Sequence, residues 1–133
     1  MIYVRQEDPN GCLVACIAMV SGLTYGAAMD LVRPAFRDGL NSFVVDAVLG
    51  DLGFANLDRT MFDPKFNAKR DPWPVAPFAP VHVVHASMAG GFHGLVMLAD
   101  GTIFDPWNRD RTSLSHADYR EINRISGYWK VLP

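Results

Sequence analysis

The clearest pattern along the chain is a solid apolar run, Cys12-Leu-Val-Ala-Cys-Ile-Ala-Met-Val20, preceded by Asn10-Gly11 and closed by Ser21-Gly22. Such a run, set between a turn-forming pair and a glycine stop, reads as a largely buried helix with Cys12 in its first turn. Thr24 has the character of an N-cap for a second helix through about Val32, ended by Pro34. Asn41-Ser42 does the same for a third, Phe43 to Leu52, with Gly53 as its stop. Beyond position 80 the pattern changes to β-branched runs: Val81 to Ser87, His93 to Ala99, Thr102 to Asp105, and a last strand near Tyr128 to Leu132. Between the halves lies Asp63 to Pro80, where five prolines exclude regular structure over most of the length. The order predicts one α+β domain over residues 1–133, with N-terminal helices packed on a C-terminal antiparallel β-sheet.

Composition narrows the classes of function. At 133 residues, 50% apolar and 20% charged, a chain buries about two thirds of its unfolded surface and sustains a core without disulfides or structural metal. The formal charge is −2, and no basic cluster exceeds pairs such as Lys69-Arg70, which argues against a nucleic-acid or anionic-membrane surface. Arg5, Glu7 and Asp8 precede any long apolar run, unlike a signal peptide, and the longest apolar run is too short to span a bilayer. A cytoplasmic protein with both thiols reduced is the expectation. Cys12 and Cys16, one helical turn apart, are not expected to form a disulfide. No Gly-rich phosphate loop, dinucleotide fingerprint or acidic metal cluster occurs, so no cofactor is expected.

Chemistry centres on Cys12. A cysteine in the first turn of a helix lies among unpaired backbone N–H groups at the positive end of the dipole, surroundings that favour a thiolate nucleophile. A buried hydrophobic role, as expected for Cys16, is the alternative. Of four histidines, His93 is the best placed as base, because it opens a strand after Met88-Ala-Gly-Gly-Phe92 and reaches a cleft at the end of the sheet. His82 and His85 point to opposite faces of one strand, and His116 lies in a polar loop. The turn after that strand decides what orients His93. A two-residue Asp100-Gly101 loop would set Asn108 opposite His93. A three-residue Ala99-Asp100-Gly101 loop with Gly101 left-handed would set Asp105 opposite Leu95, on the same face as His93 and about 7–8 Å away diagonally. The Ala-Asp-Gly order favours the second, with Asn108 as the alternative orienter.

Gln6, the segment Gly11 to Gly22 around Cys12, Pro80-Val-His-Val-Val-His85 ahead of His93-Gly-Leu-Val-Met, and Asp105-Pro106 together resemble a papain-like cysteine peptidase, most of all the double-glycine leader (bacteriocin-processing) type. The resemblance covers about Gln6 to Pro106. It implies a papain-like fold and a thiol peptidase acting on a peptide or protein, in which Cys12 attacks, His93 is the base, Asp105 orients it and Gln6 supplies an oxyanion-hole donor. The chain departs from the family pattern at Gly11 and Leu13, where members carry Asp and Gly.

The same four residues would serve deamidation or acyl transfer to an amine. A cell-wall amidase of the Cys-then-His type is a second hydrolase reading, carried by His93 to Gly101. From other classes come a zinc site of Cys12, Cys16 and two histidines, and a catalytically inactive papain-like fold used as a protein-binding module, such as a phage or mobile-element protein acting on a host target. In the binding reading, Phe66, Trp73 and Phe78 of the proline-rich stretch form a partner surface; otherwise that stretch is a lid or packed loop. Trp107, Tyr128 and Trp129 read as core or cleft-wall aromatics, and Arg109, Asp110 and Arg111 as a solvated turn.

Overall fold

A computed structural model describes residues 1–58 and 79–131. Most of the proline-rich stretch, including Phe66, Trp73 and Phe78, lies outside the described residues. The elements run α1 (Cys12–Ser21), α2 (Tyr25–Val32), α3 (Ser42–Asp51), β1 (Phe54–Asp58), β2 (Val81–Met88), β3 (Gly91–Leu98), β4 (Ile103–Phe104) and β5 (Glu121–Lys130). Among the described residues the architecture is α+β: three helices and a five-stranded antiparallel sheet of order β1-β5-β2-β3-β4.

Local chemistry sets the helix ends. Thr24 Oγ1 accepts from the Ala27 N–H at 3.1 Å and Asn41 Oδ1 from the Val44 N–H at 3.0 Å, each satisfying an otherwise orphaned donor. α1 ends on Gly22, left-handed at φ +78°, whose N–H reaches the Ala18 carbonyl at 2.9 Å. α1 begins on Gly11, which has no side chain to offer as a cap.

The sheet separates two apolar layers. On one face Val81, Val83, Val96 and Tyr128 pack with the helices, and seven consecutive residues of α1, Leu13 to Met19, are buried there. On the other face Val84, Ala86, Leu95, Met97, Ile103 and Ile125 pack with Leu114 and Tyr119 of the segment between β4 and β5. His85 shares the helix-side face with Val81 and Val83, and fully buried His82 the opposite one with Val84, as their spacing required.

The strands differ from the sequence reading in four places, the first being that β3 begins at Gly91, so that His93 is its third residue. β1 precedes the proline-rich stretch, so the helical first half already contributes an edge strand; its five residues gain their order from pairing with β5, distant in sequence. The last strand is Glu121–Lys130, longer and earlier than Tyr128 to Leu132. Its first half, Glu-Ile-Asn-Arg-Ile, interrupts its apolar residues with Asn123 and Arg124, yet it pairs with β2, while the second half, from Ser126, lies between β1 and β2. β4 stops at Phe104, because Asp105 leaves the ladder to bind other groups.

Two glycines set how α1 meets its surroundings. At Gly94 on β3, a Cβ would lie 2.3 Å from Leu13 Cδ2, so the leucine that follows Cys12 is seated against bare backbone. At Gly11, a Cβ would lie 2.0 Å from Tyr25 Oη and 3.3 Å from the Asp8 carbonyl oxygen. The Tyr25 hydroxyl therefore fills the space of a side chain at position 11, donating to Asp8 Oδ2 at 2.6 Å. Gly11→Ala is expected to destabilise the fold by about 1–3 kcal/mol through overpacking. Urea denaturation of this variant alone and with Tyr25→Phe should show a smaller penalty in the double variant, since the hydroxyl is the closest atom.

Candidate active site

The β3–β4 turn is the three-residue form. Gly101 is left-handed at φ +91°, its N–H bonds the Leu98 carbonyl at 3.0 Å, and the register runs Val96↔Phe104 and Met97↔Ile103. That register sets Asp105 beside Leu95, on the face of His93. The His93 Nε2–Asp105 Oδ1 distance is 2.7 Å. Asn108 takes no part through its side chain, whose Oδ1 accepts from the Asp110 N–H; its backbone N–H instead donates to Asp105 Oδ1 at 3.1 Å.

Asp105 is fully buried and its carboxylate is saturated with donors. Oδ1 also accepts the Trp107 N–H at 2.8 Å, and Oδ2 accepts Arg111 Nη1 at 3.1 Å and the Tyr119 hydroxyl at 2.5 Å. The N-terminal segment holds the same stretch from behind: Tyr3 Oη donates to the Asp105 carbonyl at 2.5 Å and the Gln6 N–H to the Pro106 carbonyl at 3.0 Å. Arg111 is not a solvated turn residue. Its side chain is 11% exposed and bridges Asp105 to Asp118, the latter at 3.0 Å. Trp107 is neither core nor cleft wall: it is 48% exposed, with the Arg5 guanidinium over its ring. Tyr128 is buried, as expected of a core aromatic.

Burial raises the carboxyl pKa of Asp105, but hydrogen bonds from His93 and Tyr119, the imidazolium charge and the Trp107 N–H outweigh it and hold the group well below the usual carboxylate range. His93 is the mirror case. Burial disfavours its charge, yet the hydrogen bonds and charges of Asp105 and Cys12 prevail and lift it to about 9. Asp105 takes Nε2, which leaves Nδ1 as the ring nitrogen open to the Cys12 side. His93 thus stands between a thiol and a buried carboxylate. It does so at the end of β3 that β4 leaves uncovered, where a side chain on one face can reach round to a helix on the other.

Cys12 is partly exposed at the start of α1, and the Gly94 N–H points at its Sγ from 3.3 Å. Cys16, one turn on, is fully buried in the helix-side core, where desolvation pushes its thiol up. Among the described residues no cluster of three or more His, Cys, Asp or Glu converges in a way that would hold a metal ion, and no single helix is long and apolar enough to cross a membrane.

Gln6 does not line the cleft that Cys12 and His93 share. It is 4% exposed, its Nε2 donates to the Asp8 and Pro9 carbonyls at 3.0 Å each, and its Oε1 is buried without a partner. Both amide hydrogens are committed to shaping the turn that leads into α1. His116 is exposed in its loop, its Nδ1 accepting from the Asp118 N–H at 3.1 Å.

Cys12 and His93 open into a cleft of about 380 Å³, walled by Leu13, Leu40 and Phe92, with Asn10, Asp38 and His85 among its polar lining. His85 differs from His93 in its neighbours. Burial and the Arg124 guanidinium lower it to about 4. Arg124 itself is held by Asp46 Oδ2 at 2.7 Å and Asp58 Oδ2 at 2.8 Å, with the Tyr128 hydroxyl also donating to Asp46. His85 is therefore neutral at physiological pH. Signals for Arg111 and Tyr119 were absent from local sequence pattern, because both act on Asp105 across a loop.

The pH dependence of stability follows from these shifts. His93 is raised from 6.5 to about 9, so its contribution is complete below pH 6.5 and is lost as pH rises through about 9. Asp105 is depressed, so its contribution is complete above the ordinary value of 3.8 and is lost in acid. Wild type should lose about 2–3 kcal/mol between pH 6.5 and 9, and His93→Gln should flatten that limb in denaturation midpoints taken across the range.

No protein-family model matches the chain, and no curated protein matches it significantly.

Proposed function

We propose that the chain is a cysteine hydrolase of amide bonds, a thiol peptidase or related amidase or deamidase with a papain-like arrangement. The observation that carries this reading is the position of His93, bonded to the buried Asp105 at 2.7 Å and lining one cleft with Cys12, whose thiol helps to raise the ring's pKa. A surface or core histidine needs neither partner, and a buried structural cysteine needs no base. Perturbed titration with a specific charge partner, set in a cleft, is the physical mark of a catalytic site.

In this reading His93 accepts the Cys12 proton and Sγ attacks the amide carbonyl carbon, forming the C–S bond. The oxyanion faces the Cys12 backbone N–H at the start of α1. Gln6 joins as a second donor when one amide hydrogen turns from the Asp8 or Pro9 carbonyl toward the substrate. The imidazolium then gives its proton to the leaving amine as the C–N bond breaks. Water, deprotonated by His93, hydrolyses the thioester and returns the thiol, while Asp105 keeps the ring oriented with Nδ1 toward sulfur. The acyl-enzyme is common to peptide cleavage and deamidation, so the leaving group defines which reaction runs. A peptide or protein substrate is the fitting class.

Iodoacetamide tests the pair directly. At pH 6.5 Cys12 should be alkylated at least about tenfold faster in wild type than in His93→Ala, with Cys16 unlabelled in both because it is buried. Equal rates in folded wild type and variant overturn the hydrolase reading. A second measure is Asp105→Asn, which removes the charge opposite His93. Its folding stability should fall by about 3–5 kcal/mol, the range for leaving a buried charge partner uncompensated, in a guanidinium titration.

A further inference from the structure

The cleft beside Cys12 contains a carboxylate that the hydrolysis scheme does not use. Asp38 lies on the loop between α2 and α3 in a left-handed conformation, φ +57°, in which a side chain other than glycine is uncommon. The conformation is held by Asn10, whose Nδ2 donates to Asp38 Oδ1 at 2.7 Å, and by the Arg37 N–H bonding the Gly39 carbonyl at 3.0 Å. Oδ2 has no partner among the described residues. Arg37, next in the chain, does not neutralise it: its Nη1 is turned to the Phe36 carbonyl at 3.0 Å.

The other titratable groups of the cleft leave that charge standing. His85 is neutral, and the His93 imidazolium is matched by the Asp105 carboxylate at 2.7 Å. The rest of the wall carries no charge: Leu13 and Leu40 beside the neutral polar Asn10, Asn41 and Ser42, with Phe92, 84% exposed, offering an unpacked ring face. Leucine side chains with one carboxylate and an accessible aromatic ring match an aliphatic stem that ends in a cation.

We propose that Asp38 is a specificity-determining residue, and that the cleft takes a peptide with a lysine or arginine side chain close to the bond Cys12 attacks. The proposal rests on the hydrolase reading and names its substrate class. The stem lies along Leu40 and Leu13, the cationic head meets Asp38 Oδ2, and Phe92 covers it. Asn10 is a positioning residue that aims Asp38.

The test uses two dipeptidyl chloromethyl ketones that differ only in carrying lysine or norleucine, with the variable residue placed in turn at each of the two positions before the warhead. Rates of Cys12 labelling are followed by intact mass, with Cys12→Ala as the blank. In wild type the lysine reagent should label about 3- to 10-fold faster than the norleucine reagent at one of the positions, the range for a partly exposed ion pair with a cation–π contact. The ratio should fall to about 1 in Asp38→Asn, which keeps the amide partner for Asn10 and tolerates the left-handed backbone. It should fall likewise in 1 M salt. Equal labelling by both reagents at both positions, or a lysine preference unchanged in Asp38→Asn, overturns the proposal and leaves the hydrolase reading standing. A folded wild type whose Cys12 resists both reagents and also iodoacetamide overturns both.

Discussion

A carboxylate taken wholly out of water must have its lone pairs met by donors, and at Asp105 the donors come from four places in the chain: His93 on β3, the Trp107 and Asn108 N–H groups, the Arg111 guanidinium and the Tyr119 hydroxyl. Leaving such a group unpaired costs several kcal/mol, so these segments are tied to one geometry. The segment between β4 and β5 has little regular structure of its own, yet it closes the second core layer because Arg111 and Tyr119 are drawn to the same two oxygens. The N-terminal residues join through Tyr3 and Gln6, and from there the chain turns at Asp8 and Pro9 into α1. A single buried charge thus sets the base, and the chain leading from it sets where the thiol begins.

The departures at Gly11 and Leu13 make sense within that geometry. The space of a side chain at position 11 is filled by the Tyr25 hydroxyl, and Leu13 rests on the bare backbone of Gly94. Each exchange is complementary: where one position gains bulk, its neighbour across the contact has none. The result keeps Cys12 Sγ beside the Gly94 N–H and α1 in close approach to β3.

Much of this was legible in the chain. The three helices follow from Thr24, Asn41, Gly22 and Gly53 to within a residue or two, because caps and stops are local chemistry. The choice of Asp105 over Asn108 followed from Ala99-Asp100-Gly101, since turn length fixes strand register and register fixes the face. What escaped was non-local. β1 and the first half of β5 have weak strand signals and exist through their ladder partners, β1 through the second half of β5 and the first half of β5 through β2. Arg111 in Asn-Arg-Asp-Arg has the composition of a solvated turn, and only the fold brings Asp105 within reach to bury it. Gln6 was singled out only through the family resemblance, and its committed amide hydrogens depend on the turn's conformation.

Two histidines border the cleft from the same end of the sheet, and their difference shows how the fold assigns roles to identical side chains. Both are largely desolvated, which alone would push each toward neutrality. His93 faces a carboxylate whose remaining partners hold it ionised, so its charged form prevails. His85 faces Arg124, a cation that Asp46 and Asp58 fix in place, so its neutral form prevails. The two carboxylate–guanidinium systems lie on opposite faces of one sheet and present opposite signs to its end: Asp105 turns a charged oxygen to His93, while Arg124 turns its positive field to His85. Only one imidazole, that of His93, is then held in its charged form. The other adds no positive charge to the cleft wall, which leaves the field there to Asp38.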